Sequence, residues 1–155
     1  MPQWKYSYVT PEGREAATVR ASLREISISP KASTEICREI RGMMLRKARA
    51  YLEDVAALKR SIPYKRHVKG VGHRRDLSKW PTGRYPVKAA KALLKLLSNL
   101  ENNAEFKGLD VSRLKIVHAA THGGRKIRKY VPRAFGRSSP SFDTLTHVEI
   151  VAEEV

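Results

Sequence analysis

Positive charge in this sequence of 155 residues is concentrated in two blocks, residues 60–91 and 112–142. The first block holds ten Lys or Arg residues and one acid, and the second holds eight and no acid. Their joint charge of +17 exceeds the net +16 of the chain, so the remaining segments together are nearly neutral. Like charges at this density repel one another, which destabilises the compact free state of the chain.

A polyanionic partner would relieve this repulsion, and nucleic acid is the commonest such partner. An anionic membrane surface is the competing partner. A solvated surface is a third explanation, but such surfaces normally mix both signs of charge. The sequence has no apolar run near the length of a membrane span, which is about 18 residues, and residues 1–20 contain no signal-peptide core. We therefore expect a soluble, intracellular protein that binds a nucleic acid.

The first part of the core is predicted to be a strand followed by a helix. Apolar residues alternate over residues 18–29, as in a half-buried strand. Ser29 is then a good helix N-cap, Pro30 fits the first helical position, and Gly42 fits the stop. The single cysteine, Cys37, lies on the apolar side of this helix and is expected to be a small buried hydrophobic residue.

Apolar residues at three- and four-residue spacing predict two more helices. The second covers residues 44–58, and the third begins near Pro86 and ends before Gly108. The third has the widest apolar stripe and is expected to be the central helix of the core. Two strands follow over residues 113–121 and 145–155, and we expect them to pair as antiparallel neighbours.

The segment that joins the two last strands, Thr121 to Thr144, has 24 residues, which is longer than the connection a compact domain normally needs. We expect the strands to continue past the body as a two-stranded arm, which would reach roughly 40 Å. Pro132 and Pro140 cannot donate ladder hydrogen bonds, so pairing should be interrupted there. Tyr130 and Phe135 can stack on exposed bases. The alternative to a two-stranded arm is a flexible basic loop. The cations expected to bind RNA phosphates are Arg125, Lys126, Arg128, Lys129, Arg133 and Arg137.

The segment 61–85 is rich in Gly and Pro and poor in apolar residues, which predicts an extended basic loop. A loop of this length is either functional or disordered. Its cations alternate with aromatic residues and with glycines that allow the backbone to approach a phosphate closely. The residues expected to bind RNA here are Tyr64, Lys65, Arg66, His67, Lys69, His73, Arg74, Arg75, Lys79, Trp80 and Arg84.

Neither a metal site nor a catalytic site is predicted. None of the histidines has a metal-ligand spacing such as HExxH, and the cysteine has no CxxC partner. His118 and His122 are expected to be packing or RNA-facing residues. The acidic pairs at 53–54 and 153–154 are near no convergent pocket that can be inferred. We expect no metal, no cofactor and no enzymatic activity.

Two functions from other classes remain as alternatives. An RNA-modifying or RNA-cleaving enzyme would need a convergent acid–base or cofactor site. A cationic protein of the membrane surface would need a basic amphipathic helix with a bulky apolar face. Here the most apolar helix is needed for the core, and both basic blocks are interrupted by Gly and Pro.

Five stretches, which together cover nearly the whole chain in order, are recognisable: SPKASTEICREIRG, YKRHVKGVGHR, WPTGRYPVKAAKALLKLL, NAEFKGLD and YVPRAFGR. With these stretches the sequence resembles the L-twenty-two family of large-subunit ribosomal proteins, in its archaeal and eukaryotic form. The basic insert at 61–85 separates this form from the shorter bacterial one.

The resemblance implies an α+β fold, with three helices packed on a small three-stranded antiparallel sheet and a long protruding β-hairpin. It implies a single RNA-binding domain over residues 1–155. This domain includes the basic insert at 61–85 and a hairpin arm over about 114–151.

The resemblance also implies a function, that of a structural constituent of the large ribosomal subunit in the cytoplasm. The family binds large-subunit ribosomal RNA beside neighbouring ribosomal proteins, with its body near the outer mouth of the peptide exit tunnel. Its hairpin reaches inward, and the tip forms part of the tunnel wall, near the nascent peptide. Bacterial members typically carry a basic residue where this sequence has Phe135. The implied tunnel-facing tip residues are Tyr130, Arg133, Ala134, Phe135 and Gly136.

Overall fold

Three helices and a three-stranded antiparallel sheet form the body, so the expected α+β class is confirmed. The computed structural model describes residues 5–155. A 3₁₀ turn at Val111–Arg113 precedes the fourth strand. In chain order the elements are β1 (Thr18–Ile26), α1 (Pro30–Ile40), α2 (Leu45–Ala56), β2 (Ile62–Pro63), β3 (Gly83–Arg84), α3 (Val87–Phe106), β4 (Leu114–Ile127), β5 (Tyr130–Pro132), β6 (Ser138–Pro140) and β7 (Asp143–Glu154).

The C-terminal strand β7 is the central strand of the sheet, in the order β1-β7-β4. It is antiparallel to both neighbours, which confirms the predicted pairing of the last two strands. Alternate residues of β7 (Val148, Ile150 and Ala152) are fully buried on the face that carries the helices. The opposite face of the same strand carries Glu149 and Glu153, which are also buried.

The helix ends follow the expected local chemistry. The Ser29 hydroxyl accepts a hydrogen bond from the Ala32 amide at the start of α1, and Pro30 is the first helical residue. Gly42 and Gly108 have φ values of 84° and 74° after α1 and α3, the left-handed conformation that favours glycine at a helix C-terminus. Helix α2 is shorter than the predicted 44–58 at both ends.

Helix α3 is the central helix of the core, as predicted. Its residues Leu93, Leu96, Leu97 and Leu100 are completely buried. The helix packs against both α2 and β1, while α1 packs against β4. Burial of a leucine side chain stabilises the fold by about 1.5–3 kcal/mol, so this stripe is the main apolar contribution of a single element.

The outer face of the sheet is covered by the N-terminal segment, residues 5–17. The Glu149 carboxylate is fully buried there and accepts a hydrogen bond from the Ser7 amide at 3.1 Å. The His118 Nε2 atom also lies 3.1 Å from this carboxylate, and the Tyr8 ring stacks on the imidazole. Desolvation tends to raise the pKa of Glu149, but the hydrogen bonds from Ser7 and His118 outweigh it and lower this pKa.

Cys37 is 2% exposed on the inner side of α1, as predicted. Burial raises the pKa of the Cys37 thiol to about 11, against the weaker opposing effect of Thr121, whose hydroxyl lies 3.3 Å from the sulfur.

Only the thiolate is nucleophilic, so the native protein should react very slowly with a disulfide reagent at pH 8. The denatured protein, with an ordinary thiol pKa, should react completely within the same time. Rapid stoichiometric reaction of the native protein, followed by absorbance, would contradict this burial.

Candidate nucleic-acid interface

The basic insert, residues 61–85, is irregular but folded, which refines the expectation of an extended loop. Strands β2 and β3 pair at its base, and the Arg74 amide donates to the Pro81 carbonyl at 2.7 Å. Gly83 is needed for this closure because a Cβ atom there would lie 2.9 Å from the Ile62 carbonyl oxygen and 2.6 Å from Leu77. Backbone hydrogen bonds therefore supply the order that the apolar-poor sequence could not.

A buried carboxylate holds the start of the insert. Glu35 on α1 is 1% exposed. It accepts hydrogen bonds from three successive backbone amides, those of Lys65 at 3.1 Å, Arg66 at 2.9 Å and His67 at 2.7 Å. These donors satisfy the buried charge. The side chains of Lys65 and Arg66 stay exposed, so the backbone is fixed while the cations face solvent.

A second carboxylate ties the later part of the insert to its first residue. Asp76 is the only acid of the first basic block. It accepts hydrogen bonds from the Ser61 amide at 2.6 Å and the Ser61 hydroxyl at 3.0 Å. Desolvation tends to raise the pKa of Asp76, but the hydrogen bonds from Ser61 outweigh it and hold this pKa below its usual value. The one acid of the block therefore serves the fold of the insert.

The two aromatic residues predicted to bind RNA in the insert have different environments. Tyr64 is buried in the core, which leaves its ring a packing role instead of a stacking surface for bases. Its carbonyl accepts hydrogen bonds from the Trp80 indole at 2.7 Å and the Thr82 hydroxyl at 3.1 Å. Trp80 remains 38% exposed with its orientation fixed by that bond. Of the two rings, Trp80 is the one placed to stack on a base.

The cations of the insert lie on one continuous folded segment, and two of them also brace it. The Arg74 guanidinium lies over the Tyr85 ring at 5.2 Å and donates to the Gly83 carbonyl. Arg84 donates to the Gly70 carbonyl at 2.8 Å. His67 is half-buried, and the other predicted cations and histidine of the insert are exposed: Lys65, Arg66, Lys69, His73, Arg74, Arg75, Lys79 and Arg84.

The second basic block forms the predicted two-stranded arm. Strand β4 continues beyond the predicted 113–121 to Ile127, paired with β7, and β5 pairs with β6 nearer the tip. The prediction that pairing is interrupted at Pro132 and Pro140 is wrong, because both lie in paired positions of β5 and β6, where a two-stranded ribbon allows a proline nitrogen to face away from its partner. The ladder breaks instead at Arg128–Lys129 and Ser141–Phe142. The six predicted cations of the arm are all exposed, and within the described residues none forms an ion pair with an acid: Arg125, Lys126, Arg128, Lys129, Arg133 and Arg137.

The tip of the arm presents an aromatic side chain to solvent. Phe135 is 99% exposed and has a φ of 57°, and Gly136 follows with 65°, so two successive residues are left-handed. The Arg133 amide donates to the Arg137 carbonyl at 2.8 Å and closes this turn. A left-handed conformation is costly for a residue with a bulky side chain. The turn therefore holds Phe135 at the end of the arm in a strained backbone conformation.

Sequence reasoning found the cations but missed the acids that order them. The signal for Glu35 was an acid within the apolar face of α1, next to Ile36. Asp76 was visible as the single acid of its block, but nothing local identified Ser61 as its partner. Among residues 5–155, no group of His, Cys, Asp or Glu has a geometry that would hold a metal ion, and no helix is long and apolar enough to cross a membrane.

The sequence matches the family model described as "Ribosomal protein L22p/L17e" over residues 21–153. Three curated relatives carry the name "Large ribosomal subunit protein uL22". The protein of Thermofilum pendens is 56% identical, over 100% of this chain and 99% of the relative. The protein of Ignicoccus hospitalis is 51% identical over the same shares, and that of Archaeoglobus fulgidus is 54% identical over 99% of each chain. The similarity therefore includes both the insert and the arm.

Replacing Glu35 by Gln should loosen the start of the insert. The amide keeps the size of the side chain but loses the charge that three backbone donors share, so we expect a loss of stability of about 1–3 kcal/mol. Amide hydrogen exchange at residues 65–67 in the free protein should become faster.

Glu39→Gln is the matched control. Glu39 lies one turn further along α1 and reaches Lys65 only through a partly exposed ion pair at 3.7 Å. Such a pair contributes less than about 1 kcal/mol. Equal exchange rates at residues 65–67 in the two variants would contradict the role given to Glu35.

Proposed function

Because the chain belongs to the ribosomal protein L22p/L17e family, we propose that it is a structural constituent of the large ribosomal subunit in the cytoplasm. It acts there by binding large-subunit ribosomal RNA and not as an enzyme. One observation carries this proposal: two exposed surfaces of a single sign of charge project from one small packed body. The relatives' printed names point to the same subunit.

The insert is the binding surface of the body. Its backbone is fixed by Glu35 and Asp76 before any RNA is present, so its cations lose little conformational freedom on binding. Arg side chains donate two parallel hydrogen bonds to a phosphate, while Lys acts as a point charge. Trp80 adds a stacking surface for an unpaired base. Residues 1–155 thus act as one RNA-binding domain.

The arm is the second binding surface and reaches into the subunit. Half of the 24 connecting residues, at about 3.3 Å each, give a reach of roughly 40 Å. Isolated two-stranded ribbons are marginal in water, so RNA on both sides supplies the counter-charge that holds this one in place. The tip then contributes to the wall of the peptide exit tunnel, where Tyr130, Arg133, Ala134, Phe135 and Gly136 face the nascent peptide. The body contacts neighbouring ribosomal proteins.

Binding to the cognate RNA should depend strongly on salt. If about ten Lys and Arg side chains reach phosphates, the slope of log affinity against log salt should be about −7 to −9. Filter binding or fluorescence anisotropy over a series of potassium concentrations measures this slope. A slope near zero would overturn the proposed interface.

The arm should be cut first by trypsin in the free protein and protected in the assembled subunit. Its cations lie on an exposed ribbon without an apolar face, so residues 125–137 should open readily in the absence of RNA. Arg14, in an exposed turn of the N-terminal segment, serves as the internal control and should be cut at similar rates in both states. Equal cleavage of the arm in both states, read by mass spectrometry, would remove the tunnel role from the proposal.

A further inference from the structure

Three contiguous clefts connect the insert to the arm. The first, of about 350 Å³, lies between the start of α1 and the insert and is lined by Ser29 and Lys69. The second, of about 470 Å³, shares Ser29 and Arg84 with the first and adds Lys88 at the start of α3. The third, of about 350 Å³, shares Ser29 and Lys88 with the second and ends at Phe142, at the root of the arm. The three clefts adjoin one another through these shared residues and lead from the insert to the root of the arm, and this row of clefts is called the groove below.

The first two clefts of the groove are lined by cations and no acid, while the third is lined by Lys88 and one acid. Its cations come from four elements, and two of them, Lys31 and Lys88, are exposed and form no ion pair with an acid in the described part of the chain. Among the described residues that line the three clefts, only Asp143 is acidic, and its carboxylate accepts a hydrogen bond from the Ser27 hydroxyl at 2.8 Å. The cations of the groove are Lys31, Arg66, Lys69, Arg84 and Lys88.

Aromatic side chains line the same path. Phe142 lines the third cleft and is half-exposed. Tyr85 lies in the middle cleft under the Arg74 guanidinium. A basic groove with aromatic walls is the usual design for single-stranded nucleic acid, whose unpaired bases stack on the rings. An RNA duplex presents its phosphates on a convex surface and fits such clefts poorly.

We propose that this groove holds one continuous single strand of the large-subunit RNA, which passes from the insert over Ser29 and Lys88 to the root of the arm. Lys31 and Lys88 are then further RNA-binding residues, each in contact with the phosphodiester backbone. The inference rests on the proposed function, because it concerns the path of the RNA that the insert and the arm bind.

Photocrosslinking tests the path. A photoreactive benzoylphenylalanine replaces Lys31, Lys88 or Phe142, one at a time, in the full-length protein assembled with its large-subunit RNA. The crosslinked nucleotides should fall within about a dozen consecutive positions of one strand, the length that a single-strand groove of this kind covers. Nucleotides from separate strands would overturn the proposal. The proposal is also overturned if positions 31 and 88 do not crosslink while the same photoreactive residue in place of Arg66 or Arg128 does.

The absence of crosslinks at every one of these positions, Arg66 and Arg128 included, would overturn the proposed function itself. The two failures are thus distinguishable.

A charge variant gives an independent readout. Lys31→Gln/Lys88→Gln should make the salt slope of RNA binding about 1.4 units less steep, since two phosphate contacts with a single strand are lost. The matched control is Lys91→Gln/Lys95→Gln, whose two lysines are equally exposed on α3 but line none of the three clefts. Equal slopes for the two variants, with the helical circular dichroism of both unchanged, would contradict phosphate contacts in the groove.

Discussion

Repulsion among the cations of the two basic blocks is the constraint that shapes the rest of the structure. In the insert two acids oppose this repulsion. Glu35 accepts hydrogen bonds from the backbone of the insert, and Asp76 accepts one from the Ser61 amide. Each carboxylate is held by two or more hydrogen-bond donors, so the negative charge is fixed where the local positive charge is highest. The arm has no such acid along residues 125–137. The same excess of charge therefore produces one folded surface and one thin ribbon.

The sheet links these two surfaces through its central strand. Strand β7 pairs with β1 and β4 in the body and continues with β4 into the base of the arm. At the base, Gly124 lies where a Cβ atom would approach the His147 ring to 2.8 Å, next to a shift in the strand register. Such a bulge bends a strand and increases its twist. The direction of the arm is therefore set by the body, although residues 124–142 contribute nothing to the core.

Much of the body followed from sequence because its signals are local. Ser29, Pro30 and Gly42 fixed the ends of α1 through capping chemistry alone, and the apolar stripe of α3 identified the central helix. Strand order and the contacts of the insert could not be predicted, since they join residues far apart in the chain. Glu35 reaches residues about 30 positions away, and no local pattern encodes such a pairing.

The same limit applies to the details of the proposed interface. A tyrosine among cations has the composition of a stacking residue, yet Tyr64 is buried because it directly follows the short strand at the base of the insert. Lys31 lies outside both basic blocks and Lys88 lies near the end of the first, one in each of two helices, and only the fold brings them to one row of clefts. Burial leaves the Tyr64 ring little surface for a base, and tertiary proximity adds Lys31 and Lys88 to the proposed interface.

The insert is tied to Glu35 and Asp76, whereas the arm has no such acid, so the proposed RNA binding would cost the two segments different amounts of conformational entropy. Fixing the backbone of one residue costs about 1–2 kcal/mol of conformational entropy. The insert meets this cost during folding, through hydrogen bonds to Glu35, Asp76 and its own backbone. The arm must meet any remaining cost from its phosphate contacts, so its net affinity per cation is lower. An RNA strand that reaches the groove first from the insert side would then be delivered to the root of the arm, where Phe142 and the first unpaired residues of the ribbon lie.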